Sequence, residues 1–151
     1  MLLAPIEIYG KLRQIGQRAY NISKHRFDYF TAYVYITDSD DFFLKVPKFF
    51  ENLVCKRFDY DKLRLSKKTL CVTKTLYINV KSTDKLEDIV PLISGSYSLL
   101  YINGNVKWHQ LLSLIYPETQ TVLIMGKIEL NSDEVPFFVI GLLCISKYTN
   151  L

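Results

Sequence analysis

The sequence predicts a mainly β single domain with short helices. Two stretches, 5–16 and 26–37, alternate apolar and polar side chains with the period of two that half-buried strands show. Aromatic and β-branched residues, which favour strands, dominate the second stretch. The chain has 151 residues, 49% of them hydrophobic, which suffices for one core but not for two. We therefore treat 1–151 as one domain, and we see no internal repeat in it.

The N-terminal part predicts three strands followed by a helix. Gly10 lies in the middle of the first strand, where a glycine is typical of a bulge or a sharp bend. The second strand ends in an aspartate-rich turn at 37–41, whose short side chains can bond their own backbone. Alternation over 42–46 predicts a short third strand, and the spacing of apolar residues over 48–57 predicts a helix.

The C-terminal part predicts strands and helices in alternation. The strands are 69–80, 97–102, 121–130 and 135–146, and the helices are 84–93 and 105–115. The last strand, Val135–Ser146, is apolar on both faces, so both faces must be covered. A core can cover one face, and a helix of this chain or a partner must cover the other.

Charge and cysteine usage point to an intracellular protein of the nucleus or cytoplasm. The net charge is +4, with +6 in residues 1–75 and −2 in residues 76–151, so the first half attracts phosphates. Three scattered cysteines and two histidines have no ligand spacing, which predicts neither a metal nor another cofactor. The longest apolar stretch, 135–145, is shorter than the ~20 residues that cross a bilayer, so we expect no membrane partner.

Four segments carry a resemblance to a known family. Ile6–Leu12 and Tyr33–Asp38 resemble the first two strands of OB-fold domains, in which a glycine bends strand one and an aspartate ends strand two. Val122–Ile128 and Phe138–Ile145 resemble the last two strands. The closest resemblance is to the small OB subunits of replication protein A and of the CST telomere-capping complex.

The resemblance covers residues 5–46 and 120–147. It implies a five-stranded Greek-key barrel with a long insertion between strands three and four. The alternative that the pattern leaves open is an α+β domain in which residues 97–130 form a strand–helix–strand unit.

The resemblance also implies a non-catalytic subunit that binds single-stranded nucleic acid within a protein complex for telomere or genome maintenance. If the first two strands pair, their outer faces bring rings that stack bases beside cations that neutralise phosphates. The basic run over 56–68 is predicted to be an exposed loop, which would extend this surface if it lies beside the two strands. The candidate nucleic-acid-binding residues are Tyr9, Lys11, Arg13, Tyr29, Tyr33, Tyr35 and Lys45.

The second hypothesis is a protein-binding module, such as a scaffold subunit or an inhibitor or immunity protein of a toxin or enzyme. It uses the same aromatic surface, because tyrosine is also enriched in protein interfaces. The apolar last strand would then lie against the partner. We find no catalytic motif in the sequence, and we predict that the protein is not an enzyme.

Overall fold

A parallel β-sheet with short helices forms the described part of the protein, residues 28–39 and 55–146 of a computed structural model. The strands are β1 (Tyr29–Thr37), β2 (Lys56–Asp59), β3 (Leu70–Asn79), β4 (Ile93–Gly95), β5 (Leu99–Asn103), β6 (Val106–Lys107), β7 (Thr121–Met125) and β8 (Ile128–Glu129). The helices are α1 (Tyr60–Ser66), α2 (Thr83–Ile89), α3 (Trp108–Leu114) and α4 (Val135–Ser146), with a 3₁₀ turn at Val90–Leu92.

The strands of the large sheet run in the order β2-β1-β3-β5-β7, with β4 also paired to β3. β6 and β8 form a second, two-stranded sheet. Every pairing found between the described strands is parallel, and the described strands do not close into a barrel. The expected mainly β Greek-key barrel is therefore wrong for these residues, and the protein is a mixed α/β structure. Over residues 97–130 it has the strand–helix–strand unit of the alternative expectation.

The two faces of the sheet carry different side chains. One face, which we call the helix face, packs residues such as Ile36, Ile78 and Ile102 against the helices and holds the main core. The other, which we call the tyrosine face, carries Tyr35 and Tyr77. The central strand β3 is buried along most of its length, as expected for a parallel strand covered on both sides.

The pairing register reveals a repeat that the sequence analysis missed. Tyr77 on β3 lies beside Tyr101 on β5, which lies beside Leu123 on β7, at sequence intervals of 24 and 22 residues. The neighbouring positions stack in the same way, because each strand is followed by a turn, a helix and a return to the sheet. Such stacked units bury one continuous core that no single unit could form.

The last helix lies where we predicted a strand. Val135–Ser146 is the helix α4, whereas we expected a strand. The segment is apolar throughout, so its pattern has neither a period of two nor one of 3.6 to separate the two structures. Pro136 lies in its first turn, where a helix tolerates proline. Phe138 packs against the main core, and Gly141 lies against Leu112 of α3.

Several other predicted elements coincide with elements of the structure. β1 lies within the predicted strand 26–37, β3 within 69–80, β5 overlaps 97–102, and α3 lies within 105–115. Lys56–Asp59 is a strand where we expected a helix to give way to an exposed basic stretch, because parallel pairing with β1 overrides the local pattern. The predicted strands 5–16 and 42–46, and most of the helix 48–57, lie outside the described residues.

The turns that end β3, β5 and β7 stack on one another at glycines. Gly104 has a φ of +141°, and a Cβ built on it would collide with the carbonyl oxygen of Val80. A Cβ on Gly126 would collide in turn with the carbonyl oxygen of Gly104. Only glycine allows the backbones of successive units to approach this closely.

We expect Gly104→Ala to lower the free energy of unfolding by about 2 kcal/mol or more, because the substitution adds both backbone strain and a backbone clash. Urea denaturation followed by circular dichroism measures the change. The matched control is Gln120→Ala at an exposed position, which should change stability by less than about 0.5 kcal/mol. Equal stability of Gly104→Ala and the wild type would contradict the stacked turns.

Candidate interaction surface

The structure separates the tyrosines that the sequence analysis placed on one surface. The register of β1 against β3 shifts between Thr31 and Tyr33. Tyr29 packs against the main core, whereas Tyr35 packs against Tyr77 on the tyrosine face. The expectation that Tyr29 and Tyr35 share one surface is therefore wrong, while Tyr33 is half-buried, with Lys74 Nζ 5.7 Å from its ring centroid. Tyr9, Lys11, Arg13 and Lys45 lie outside the described residues.

Tyr35 is only 2% exposed and unavailable for stacking a base. Its ring stacks on that of Tyr77 with centroids 4.6 Å apart, and Tyr77 stacks on Tyr101 at 4.3 Å. Burial raises the pKa of Tyr77 well above its ordinary value, and the neighbouring hydroxyls of Tyr101 and Tyr35 add to the shift. Tyr35 and Tyr77 are therefore part of the buried packing of the sheet.

A row of polar side chains continues the tyrosine stack at the carboxyl end of the sheet. Asn79 donates to the Tyr35 hydroxyl at 3.1 Å, and Asn103 donates to Asn79 Oδ1 at 3.0 Å. Asp38, whose side chain is 6% exposed, pairs through Oδ2 with Lys85 at 3.1 Å, while its Oδ1 has no hydrogen-bond partner. The row lies at the carboxyl end of the sheet, where it links the side chains of β1, β3 and β5.

Positive charge collects at the β2 end of the sheet. Residues 55–74 hold seven basic and two acidic side chains. Six of these cations form no ion pair within the part of the chain that the structure describes: Lys56, Lys62, Arg64, Lys67, Lys68 and Lys74. We call all seven the basic surface: Lys56, Arg57, Lys62, Arg64, Lys67, Lys68 and Lys74.

Within the basic surface, two of the cations lie beside the ring of Tyr29. Lys56 Nζ lies 4.1 Å from the ring centroid, and Lys68 Nζ lies 5.4 Å from it and donates to the hydroxyl at 3.5 Å. The Tyr29 ring also packs edge-on against Phe58, with centroids 5.0 Å apart. The two lysines thus contact the tyrosine ring that we expected to stack on a base.

A small groove lies where α3, β8 and the start of α4 meet. It has a volume of about 210 Å³ and is lined by Lys107, Trp108, His109, Glu129, Leu130, Asn131 and Glu134. The backbone N–H of Asn131 donates to Glu134 at 2.8 Å and, with the Trp108 indole nearby, keeps the pKa of that carboxyl below its usual value. The buried indole N–H has no acceptor within hydrogen-bond distance. This lining lacks a nucleophile paired with a base.

The most unusual surface is at the opposite end of the sheet from β2. Eleven large hydrophobic side chains are exposed among the described residues, and nine of them lie between Leu123 and Leu143. We call this surface the open end. It consists of the unpaired edge of β7, the adjoining β8 and the outer side of α4: Leu123, Met125, Ile128, Val135, Phe137, Val139, Ile140, Leu142 and Leu143.

The two edges of the large sheet differ in charge. β2, at one edge, carries two cations and an aspartate in four residues. β7, at the other, has no charged residue and no proline, and neither does α4 carry a charge. Exposed edge strands usually bear charges, prolines or bulges that prevent pairing with another chain. Among the described strands, β7 is therefore an edge without such protection.

The open end holds apolar surface on the scale that association requires. Its nine side chains are between 37% and 62% exposed. Because full burial of such a side chain is worth about 1.5–3 kcal/mol, covering them would contribute roughly 7–13 kcal/mol. This upper estimate is comparable with the cost of association, about 4–15 kcal/mol.

Comparisons with known proteins do not assign a family. A scan against protein-family models finds no match, and searches of the curated proteins and of the solved structures find none either.

No helix among the described residues is long and apolar enough to cross a membrane. No cluster of three metal-ligating side chains occurs in residues 28–39 and 55–146.

Sequence reasoning identified the apolar C-terminal segment but not the surface that it forms. The absence of charge from Val135–Ser146 led to the expectation that a helix or a partner covers it. The absence of charge from Thr121–Met125 was the available signal for an unprotected edge. Recognising it required the strand order, which places β7 last.

We expect the free energy of unfolding to fall as the pH rises above about 10. Burial and a 2.7 Å hydrogen bond to Asp88 raise the pKa of Tyr60 to about 12. An unfolded tyrosine ionises near 10. The stabilisation is therefore complete below about pH 10 and is lost toward about pH 12. At about pH 11 the loss is about 1 kcal/mol from this residue.

Urea denaturation at about pH 9 and about pH 11 tests this expectation, together with tyrosinate absorbance. Tyr60→Phe should be less stable at the lower pH, because Asp88 loses its hydrogen-bond donor. It should also lose less stability than the wild type between the two values. An equal loss in both proteins would show that Tyr60 ionises normally.

Proposed function

We propose that the protein is a non-catalytic protein-interaction module that binds its partner through the open end. The observation that carries this proposal is that nine of the eleven exposed large hydrophobic side chains among the described residues belong to the last three elements, β7, β8 and α4. Soluble monomers rarely expose an apolar patch of this kind without a function, and large patches are typical of protein interfaces.

The chemistry of the open end defines the partner that fits it. Among the described strands β7 pairs only with β5, so backbone N–H and C=O groups along its other side can bind an added strand. Leu123 and Met125 are exposed on the tyrosine face, where they can contact alternate side chains of such a strand. The partner is a protein that adds an apolar strand to β7 and an apolar cover to α4.

We expect the Leu123→Lys variant to capture much less of the partner than the wild type does. A lysine on an added-strand surface introduces a charge that pairing would have to desolvate. The tagged wild-type protein and the variant are each incubated with an extract of cells that make the protein. Proteins retained on the two are then compared by quantitative mass spectrometry, and we expect at least a tenfold difference for the partner.

Leu65→Lys provides the matched control, since Leu65 is 73% exposed and lies in α1, away from the open end. It should retain the partner as the wild type does. Circular dichroism and urea denaturation establish that both variants are folded. Retention of the same proteins by Leu123→Lys, or their loss from Leu65→Lys, would contradict the proposal.

A second candidate function is the binding of single-stranded nucleic acid, which the basic surface favours. Seven cations against two carboxylates within residues 55–74 give a local charge of +5, and their attraction for phosphates does not depend on sequence. In this function Tyr35 has no contact with the nucleic acid, and Tyr29 supports Lys56 and Lys68. A barrel is not required for it.

For this second candidate, we expect the double substitution of Lys56→Ala and Lys68→Ala to weaken binding of a mixed-sequence single-stranded oligonucleotide about tenfold at low salt. Loss of two phosphate contacts should also reduce the slope of log K against log salt by about 1.4. Fluorescence anisotropy measures both quantities. Lys127→Ala, an exposed lysine near the open end, is the control and should bind normally. Absence of salt-dependent binding by the wild type would contradict this function.

A further inference from the structure

We infer that the partner of the open end is a second copy of this chain, which pairs β7 with its own β7 in a symmetric dimer. The inference rests on the proposed function and names the partner of the same surface. It follows from the strand order, from the charges on the two sheet edges and from the composition of the open end.

The difference between the two edges determines how copies can associate. Head-to-tail association would place β7 of one copy against β2 of the next and would build an open filament. β2 has only four residues, and Lys56, Arg57 and Asp59 on it would face an apolar strand. Pairing of β7 with β7 avoids this charge burial and closes after two copies, as a two-fold axis requires.

A two-fold axis perpendicular to the sheet makes the paired β7 strands antiparallel. Centring the axis on Leu123 pairs all five residues of each strand. Leu123 then lies opposite Leu123 of the second copy, and Thr121 lies opposite Met125. These cross-strand neighbours are apolar or uncharged, so no like charges meet at the centre of the interface.

The same axis brings the apolar helices together. α4 lies on the helix face, where Phe138 reaches the main core and Gly141 touches α3. An axis perpendicular to the sheet leaves both copies of α4 on the same side of the joined sheet. The outer residues of α4, including Phe137 and Ile140, can therefore cover one another, and the helix has no charge to prevent it.

The first test measures the mass of the purified full-length protein in solution by light scattering and sedimentation over a range of concentrations. We expect a dimer for the wild type and a monomer for Leu123→Lys. The control Leu65→Lys should remain a dimer, because Leu65 lies outside the open end. A monomeric wild type, or a dimeric Leu123→Lys, overturns the inference.

The second test detects the pairing by cysteine cross-linking. It uses a Cys144→Ser background, because Cys144 is exposed on α4, whereas Cys71 is buried and burial raises the pKa of the Cys55 thiol to about 11. Opposed Cα atoms in an antiparallel pair lie about 4.5–5.5 Å apart, within disulfide range. Mild oxidation by oxidised glutathione should therefore join two copies of Leu123→Cys, with loss of two thiol protons and reduction of the glutathione disulfide.

Thr121→Cys is the matched control for register. It lies two residues from Leu123 on the same face, so its counterpart across the axis is about four residues away, or roughly 13 Å, which a disulfide cannot span. We expect at least a tenfold slower cross-linking of Thr121→Cys than of Leu123→Cys. Equal rates would overturn the pairing centred on Leu123.

Failure of this inference is distinguishable from failure of the proposed function. A monomeric protein that captures a different protein through Leu123 overturns the dimer and supports the interaction module. A monomeric protein whose captured proteins do not depend on Leu123 overturns both. If Leu123→Lys is still a dimer, pairing through β7 is overturned. The capture experiment then tests the interaction module independently.

Discussion

Parallel pairing of β3, β5 and β7 places equivalent residues of successive units directly against one another, and this constraint shapes most of the described structure. Tyrosine stacks on tyrosine, Asn103 bonds Asn79, and Gly126 fits against Gly104 because each position is repeated after 22 to 24 residues. The first residues of the helices follow one another at intervals of 23, 25 and 27 residues, and the helices pack on the helix face. Each unit therefore depends on its neighbours for burial.

A stack of dependent units has two ends, and each end must be protected. Charged residues on β2 protect one end, whereas the other exposes β7 and α4, neither of which carries a charged residue. Stacked architectures generally need a polar outer surface on the terminal unit. Because α4 buries Phe138 and leaves its other side apolar, the unit that ends at α4 lacks the polar outer surface that a terminal unit usually has.

The candidate functional residues were only partly predictable. The basic run over 56–68 could be read directly, because long cationic side chains stay exposed in almost any fold. The separation of Tyr29 from Tyr35 could not, since a register shift between β1 and β3 and stacking against Tyr77 place these two rings in different surroundings. The open end was foreseen as an apolar segment in need of cover, without the edge strand that completes it.

The sequence by itself determined the positions of β1, β3, β5 and α3, because alternation and apolar spacing are local properties of the chain. It also determined that the C-terminal segment is apolar and that positive charge lies in the first half. Tertiary structure decided that the sheet is parallel, that Val135–Ser146 is helical and that β7 is an edge. These depend on which distant segments meet, and a uniformly apolar segment has no period from which its partners could be inferred.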